Sequence, residues 1–175
     1  MGFGLVQMRQ KKLLKRLAAT PMRRGDFLLA QILGRLSFLL IEAPPLILFA
    51  WLAFGVRVEG NLLLLAGVIL LGTICFAGIG LLCASRARTI EGISGILNVV
   101  MVPMFVAGGI FFSASRFPTA VQPMVQALPL TALNDALRLV YNEGSGVAAV
   151  APEAAIMAAW TVVAFALAFR WFRWQ

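Results

Sequence analysis

The stretch Leu62-Leu-Leu-Leu-Ala-Gly-Val-Ile-Leu-Leu-Gly-Thr-Ile-Cys-Phe-Ala-Gly-Ile-Gly-Leu-Leu-Cys-Ala84 contains no charged residue and is followed at once by the basic turn Ser85-Arg-Ala-Arg-Thr89. A hydrocarbon core of ~30 Å is crossed by about 20 apolar residues in a helix, so this run is long enough to span a bilayer. Three further runs fit the same description: residues 27–54, residues 93–112 and residues 152–169. The first is long enough to tilt or to start in the interface. It carries Pro44-Pro45 in its second half, where two missing backbone donors are expected to kink it. Asp26 just ahead of it is placed to cap that helix and to favour its positive end.

Composition supports the same class. Of 175 residues, 61% are hydrophobic and 13% charged, against roughly half and a quarter in soluble domains. The net charge of +8 is not spread over a basic face interleaved with aromatics, which argues against nucleic acid. The basic residues flank the apolar runs, where they meet solvent and anionic headgroups of membrane lipids. With the N-terminus inside, the cytoplasmic segments hold eleven: Arg9, Lys11, Lys12, Lys15, Arg16, Arg23, Arg24, Arg86, Arg88, Arg170 and Arg173. The outer segments hold three, Arg57, Arg116 and Arg138. That asymmetry predicts both termini in the cytoplasm. Residues 113–143 are punctuated by Pro118, Pro123 and Pro129, so they are expected to form short helices lying in, or dipping into, the outer face. The sequence therefore predicts an all-α membrane protein: a four-helix transmembrane bundle over 27–175, preceded by a cytoplasmic segment over 1–26.

Within that first segment, residues 11–18 form an amphipathic helix on a wheel of 100° per residue. Leu13, Leu14 and Leu17 share one side, and Lys11, Lys12, Lys15 and Arg16 the other. Thr20-Pro21 ends it, because a residue before proline avoids the helical region. Such a helix lies on a membrane surface or docks on a partner, and the residues alone leave both open. Two polar residues fall inside spans, Glu42 and Asn98. A charge at the depth of Glu42 costs at least ~2.5–3.5 kcal/mol, so this carboxyl either locks helices together or lines a pathway. Arg35, two turns earlier, is expected to snorkel to the cytoplasmic surface. Small residues in the second span, Gly72, Thr73, Ala77, Gly78, Gly80 and Ala84, have the spacing that lets helix backbones approach. Asp135 and Arg138, three apart on a short helix, can pair as a structural clasp. The two cysteines, Cys75 and Cys83, lie roughly 12 Å apart on a helix and act as apolar filler. No catalytic constellation is present. Histidine is absent, no metal-ligand cluster exists, and no glycine loop ending in Lys-Ser or Lys-Thr is present to hold a nucleotide; no cofactor is expected.

The order of motifs resembles the ABC type-2 transporter permease family. Lys12-Leu-Leu-Lys-Arg-Leu-Ala-Ala-Thr-Pro21 is similar to its coupling-helix signature. Ala84-Ser-Arg-Ala-Arg-Thr-Ile-Glu91 and Val102-Pro-Met-Phe-Val-Ala-Gly-Gly-Ile-Phe-Phe112 resemble its loop and following span. Arg116-Phe-Pro118 and Leu128-Pro-Leu-Thr-Ala-Leu-Asn-Asp-Ala-Leu-Arg138 resemble the helices before its last span. Together these cover nearly the whole chain.

The resemblance implies the permease subunit of an ATP-driven exporter in the bacterial inner membrane. Its cargo would be a drug, as in multidrug efflux, or a lipid, glycan or other hydrophobic molecule. It implies a dimer of cytoplasmic ABC ATPase subunits as partner, with ATP hydrolysis there and not on this chain, and a second permease subunit in a homo- or heterodimer. Leu13, Leu14, Arg16, Leu17, Thr20 and Pro21 would form the coupling helix. The family usually has six spans, and this sequence matches from where the second would be ending, with Gly2 to Val6 as its remnant. The alternative is a non-transporting scaffold or assembly subunit, which a truncated permease would amount to.

Overall fold

A computed structural model describes residues 2–11, 24–55, 58–87, 89–109, 118 and 121–171. Four of its helices are long and apolar enough to cross a membrane. They are α2 (Arg24–Phe54), α3 (Leu62–Arg86), α4 (Ile90–Ala107) and α7 (Val147–Trp171). A short helix, α1 (Gly2–Gln10), precedes them, and α5 (Gln122–Gln126) and α6 (Pro129–Tyr141) stand between α4 and α7. No strand occurs among the described residues. The protein is an all-α membrane protein.

The helix bounds differ from the sequence expectations where backbone chemistry intervenes. Helix α4 stops at Ala107, short of Phe112, because Gly108 caps it by donating its N–H to the Met104 carbonyl and Gly109 turns the chain at φ +77°. Helix α7 starts at Val147, five residues ahead of Pro152, so that proline lies inside the helix. Asp26 sits inside the first turn of α2 instead of capping it, where its charge still suits the positive helix end. Helix α2 runs on through Pro44 and Pro45, although both prolines lack the donor that the carbonyls four residues earlier, on Leu40 and Ile41, would otherwise meet.

Helix α3 is the hub. Near its start, Leu65 and Val68 pack with Ala132, Ala136 and Val140 of α6 and Val150 and Met157 of α7. Further along, Cys75, Ile79 and Cys83 pack on Ala164. Toward its end, Leu81 and Ala84 join Ala168 of α7, Ile93 of α4, and Leu5 and Val6 of α1. Helices α3 and α7 thus run side by side in the same direction, and Arg86 closes the far end by lying 4.7 Å over the ring of Trp171. The small residues of α3 serve packing inside this chain. A Cβ on Gly78 would sit 3.0 Å from Phe165, one on Gly72 2.6 Å from Leu133, and one on Gly80 3.8 Å from the Gly2 nitrogen.

Helix α6 enters this bundle from the Leu62 end. Its C-terminal end lies at the α2–α3 loop, where the Glu59 N–H donates to the Tyr141 carbonyl at 3.1 Å. Its middle reaches Gly72 through Leu133, about 15 Å down α3. Just ahead of its start, the Ala127 carbonyl accepts from Trp160 Nε1 at 2.9 Å. The helix therefore dips between α3 and α7 instead of lying flat across their ends.

Helix α2 is the exception to this packing. None of the most apolar window within Leu29–Phe54 is buried, against 39% for α3. Leu40, Ile41, Leu52 and Phe54 are all about 70% exposed. Helix α1, by contrast, has Leu5 and Val6 sealed into the core.

Candidate functional site

Because α2 leans on the bundle without sinking into it, it leaves two cavities along α3. The larger, about 870 Å³, is lined by Leu39, Ala43, Pro44, Ile47 and Trp51 of α2 and by Leu62, Leu65 and Ile69 of α3, among others. Tyr141 stands at its Leu62 end with a buried hydroxyl that has no hydrogen-bond partner among the described residues. The smaller, about 530 Å³, is lined by Arg35, Gly72, Thr73, Phe76, Ala77 and Gly80, with Gly2 and Phe3 of α1, Leu97 of α4 and Leu133 of α6. Ile69 belongs to both. The small residues that admit α1 and α6 are also the ones that leave this space open.

The polar residues singled out from sequence fall differently. Glu42 is exposed on α2 and lines neither cavity. It therefore does not lock helices together within the described chain, since the α2 face that carries it packs on nothing. Asn98 is likewise exposed on α4 and lines neither cavity. Arg35, expected to snorkel to the cytoplasmic surface, is exposed and borders the smaller cavity together with Thr73. The Thr73 hydroxyl donates to the Ile69 carbonyl at 2.8 Å, the ordinary way a hydroxyl is accommodated in a helix. Leu13, Leu14, Arg16, Leu17, Thr20 and Pro21 lie outside the described residues.

The Asp135–Arg138 clasp takes another form. Arg138 donates through Nη2 to the Gly109 carbonyl at 2.7 Å, and Asn134 donates through Nδ2 to the Gly108 carbonyl at 2.6 Å. These carbonyls follow the last turn of α4 and have no helical donor, so they compete well for the guanidinium. Burial pushes the Asp135 carboxyl above its usual range, and the nearby Arg138 charge pulls it partly back. The clasp thus ties α6 to α4, with Asp135 coupled to it through space. The hydrogen bonds of Asn134 and Trp160 were not foreseen from sequence; a polar side chain on a short amphipathic helix gives no sign of which carbonyl it meets.

Comparison with known families decides what this arrangement belongs to. A family model described as ABC-2 type transporter matches residues 1–142. The chain belongs to the ABC-2 type transporter family. The match takes in α1, the residues of the basic amphipathic segment, α2 to α4 and the α5–α6 insertion, so the two cavities lie within it. No curated protein matches the chain. An ABC-2 membrane domain is a transporter permease component that works with ABC ATPase partners and is not itself the catalyst. This ABC-2 chain is a multi-pass membrane protein on the same grounds.

Proposed function

We propose that the chain is the permease subunit of an ATP-driven exporter in a bacterial inner membrane, with both termini in the cytoplasm and a hydrophobic drug-like, lipid or glycan cargo. The observation that carries this reading is the pair of cavities along α3, both with Ile69 in their lining, in a chain of a family whose members transport. A path for hydrophobic cargo requires an apolar face that is not filled by the protein's own side chains, and α2 supplies one. Residues 11–21 are the coupling helix of this reading: the Leu13, Leu14 and Leu17 side seats on an ATPase subunit, Lys15 and Arg16 meet acidic groups, and Thr20-Pro21 ends the helix before α2. A second permease subunit covers part of the exposed α2 surface.

The test is co-purification with an ATPase subunit encoded beside the gene, together with transport in cells. Leu13→Asp combined with Leu17→Asp places charge in an apolar interface, and several kcal/mol of docking are expected to be lost. Lys11→Gln with Lys12→Gln is expected to weaken docking far less, since exposed ion pairs contribute about 0–1 kcal/mol each. If the double Asp variant reaches the membrane, assembles and transports normally, residues 11–21 are only a surface anchor. ATPase assembly without transport of any hydrophobic cargo would instead identify a scaffold subunit.

A further inference from the structure

The two cavities lie one after the other along α3, with Ile69 in the lining of both and Arg35 bordering the smaller. On α2 the residues Arg35, Leu39, Ala43, Ile47 and Trp51 follow one another at intervals of four, the spacing of a single row on a helix. Arg35 borders the smaller cavity and the other four border the larger. On α3 the facing row is Leu62, Leu65, Ile69, Thr73, Phe76 and Gly80, running the opposite way, with Ile69 common to both cavities. Between Arg35 and Trp51 the row is about 24 Å long. Apart from the Thr73 hydroxyl, which is spent on the Ile69 carbonyl, and the Tyr141 hydroxyl at the far end, its walls are apolar along that length, and no Asp or Glu lines either cavity.

An arginine within a span is costly unless an anion meets it. Arg35 is exposed and borders the smaller cavity, with no hydrogen bond or ion pair to any described residue. The geometry points to this row as the binding site for a single-chain anionic amphiphile, held by its phosphate, sulfate or carboxylate group at Arg35 and laid with its alkyl chain along Leu39, Ala43 and Ile47 toward Trp51. This names the cargo class of the exporter proposed above and rests on that reading for the word cargo. The larger cavity falls in the ~300–1,000 Å³ range of small-molecule sites, which suits one chain. Charge complementarity selects the anionic headgroup, and the apolar row excludes a second charge at the tail.

The experiment uses the full chain in phosphatidylcholine nanodiscs and quenching of Trp51 by hexadecyl phosphate brominated at its terminal carbon, a chain long enough to reach Trp51 from a headgroup at Arg35. Saturable quenching is expected, and Trp51→Phe should remove it while the other tryptophans, Trp160, Trp171 and Trp174, remain. Arg35→Gln should raise the half-saturation concentration at least about tenfold, the size expected for losing a charged hydrogen bond, and Arg35→Lys should recover part of it. The equally brominated alcohol should bind at least about tenfold more weakly to the unaltered chain, and this arm stands even if the Arg35 variants fail to assemble. Equal binding of phosphate and alcohol overturns the proposal, as does an unchanged midpoint in a folded Arg35→Gln. Loss of probe binding when a third of the lipid is phosphatidylglycerol also overturns it, because the occupant is then a bilayer lipid. Headgroup-selective binding with no ATPase docking would sink the exporter reading and leave the site standing; docking and transport with headgroup-blind binding does the reverse.

Discussion

Arg138 of α6 donates to the carbonyl of Gly109, across 29 positions of sequence and at 2.7 Å, and so fastens a helix that dips into the bundle to the end of one that crosses it. Asn134, one turn earlier, repeats the bond on Gly108. Both carbonyls lie beyond the last helical donor of α4 on buried residues, so the two side chains satisfy a helix end that would otherwise be buried without a donor.

Removing this latch should loosen α6 without unfolding the spans. Arg138→Ala is expected to lower stability by ~1–2 kcal/mol, and Asn134→Ala by ~1 kcal/mol. Because the two bonds hold neighbouring carbonyls, the double variant should lose less than the sum. Thermal unfolding of the purified chain in one detergent measures all three. Strict additivity would show that the bonds act separately.

Asp135 gives the latch a pH dependence. Burial raises its folded pKa above the ordinary 3.8 and the Arg138 charge opposes part of that rise. A raised folded pKa means that folding favours the protonated carboxyl. The stabilising contribution is therefore full below the unfolded pKa and is lost as pH rises through the folded value. Asp135→Asn should remove this acid-side slope and leave stability at neutral pH unchanged or higher. Arg138→Gln should move the slope to higher pH. Melting temperature followed from acid to neutral pH checks both. A steeper loss of stability on acidification in the native chain than in Asp135→Asn would contradict the assignment.

Two glycines near the Leu62 end should respond oppositely to alanine. A Cβ on Gly60 would run into the Val140 carbonyl, a backbone atom that cannot turn aside, so Gly60→Ala should cost ~1–3 kcal/mol. Gly67 has nothing within 4 Å of that position, and Gly67→Ala should be neutral or stabilising by up to about 1 kcal/mol. The comparison needs only the two melting curves, and equal effects would show that α6 does not press on the α2–α3 loop.

Topology is open to direct labelling. The bias of eleven basic residues to three predicts Gly60 and Gly144 outside and Arg88 inside. Single cysteines introduced at Arg88 and at the exposed neighbours of the two glycines, Glu59 and Glu143, in a chain with Cys75 and Cys83 replaced by Ser or Ala, should react with an impermeant maleimide at Glu59 and Glu143 only. Labelling of Arg88→Cys from outside would invert the arrangement.

Four apolar runs, the basic turn after Ala84 and the motif order determined by themselves that this is an all-α membrane protein of its family. Runs of apolar residues long enough for a bilayer are a property of the chain, because each crossing helix satisfies its own backbone hydrogen bonds. The end of α4 was nearly legible too, in Gly108-Gly109. Tertiary structure alone decided where the polar residues point. Glu42 and Arg35 are seven apart on one helix, with Glu42 the deeper in the span, where a charge costs most. Which of them faces a cavity depends on how α2 crosses α3, and α2 is apolar nearly all round, so its periodicity marks no inner face. The same holds for Arg138, whose nearest acidic neighbour in sequence is Asp135 but whose guanidinium is taken by a carbonyl brought there only when α6 folds back against α4.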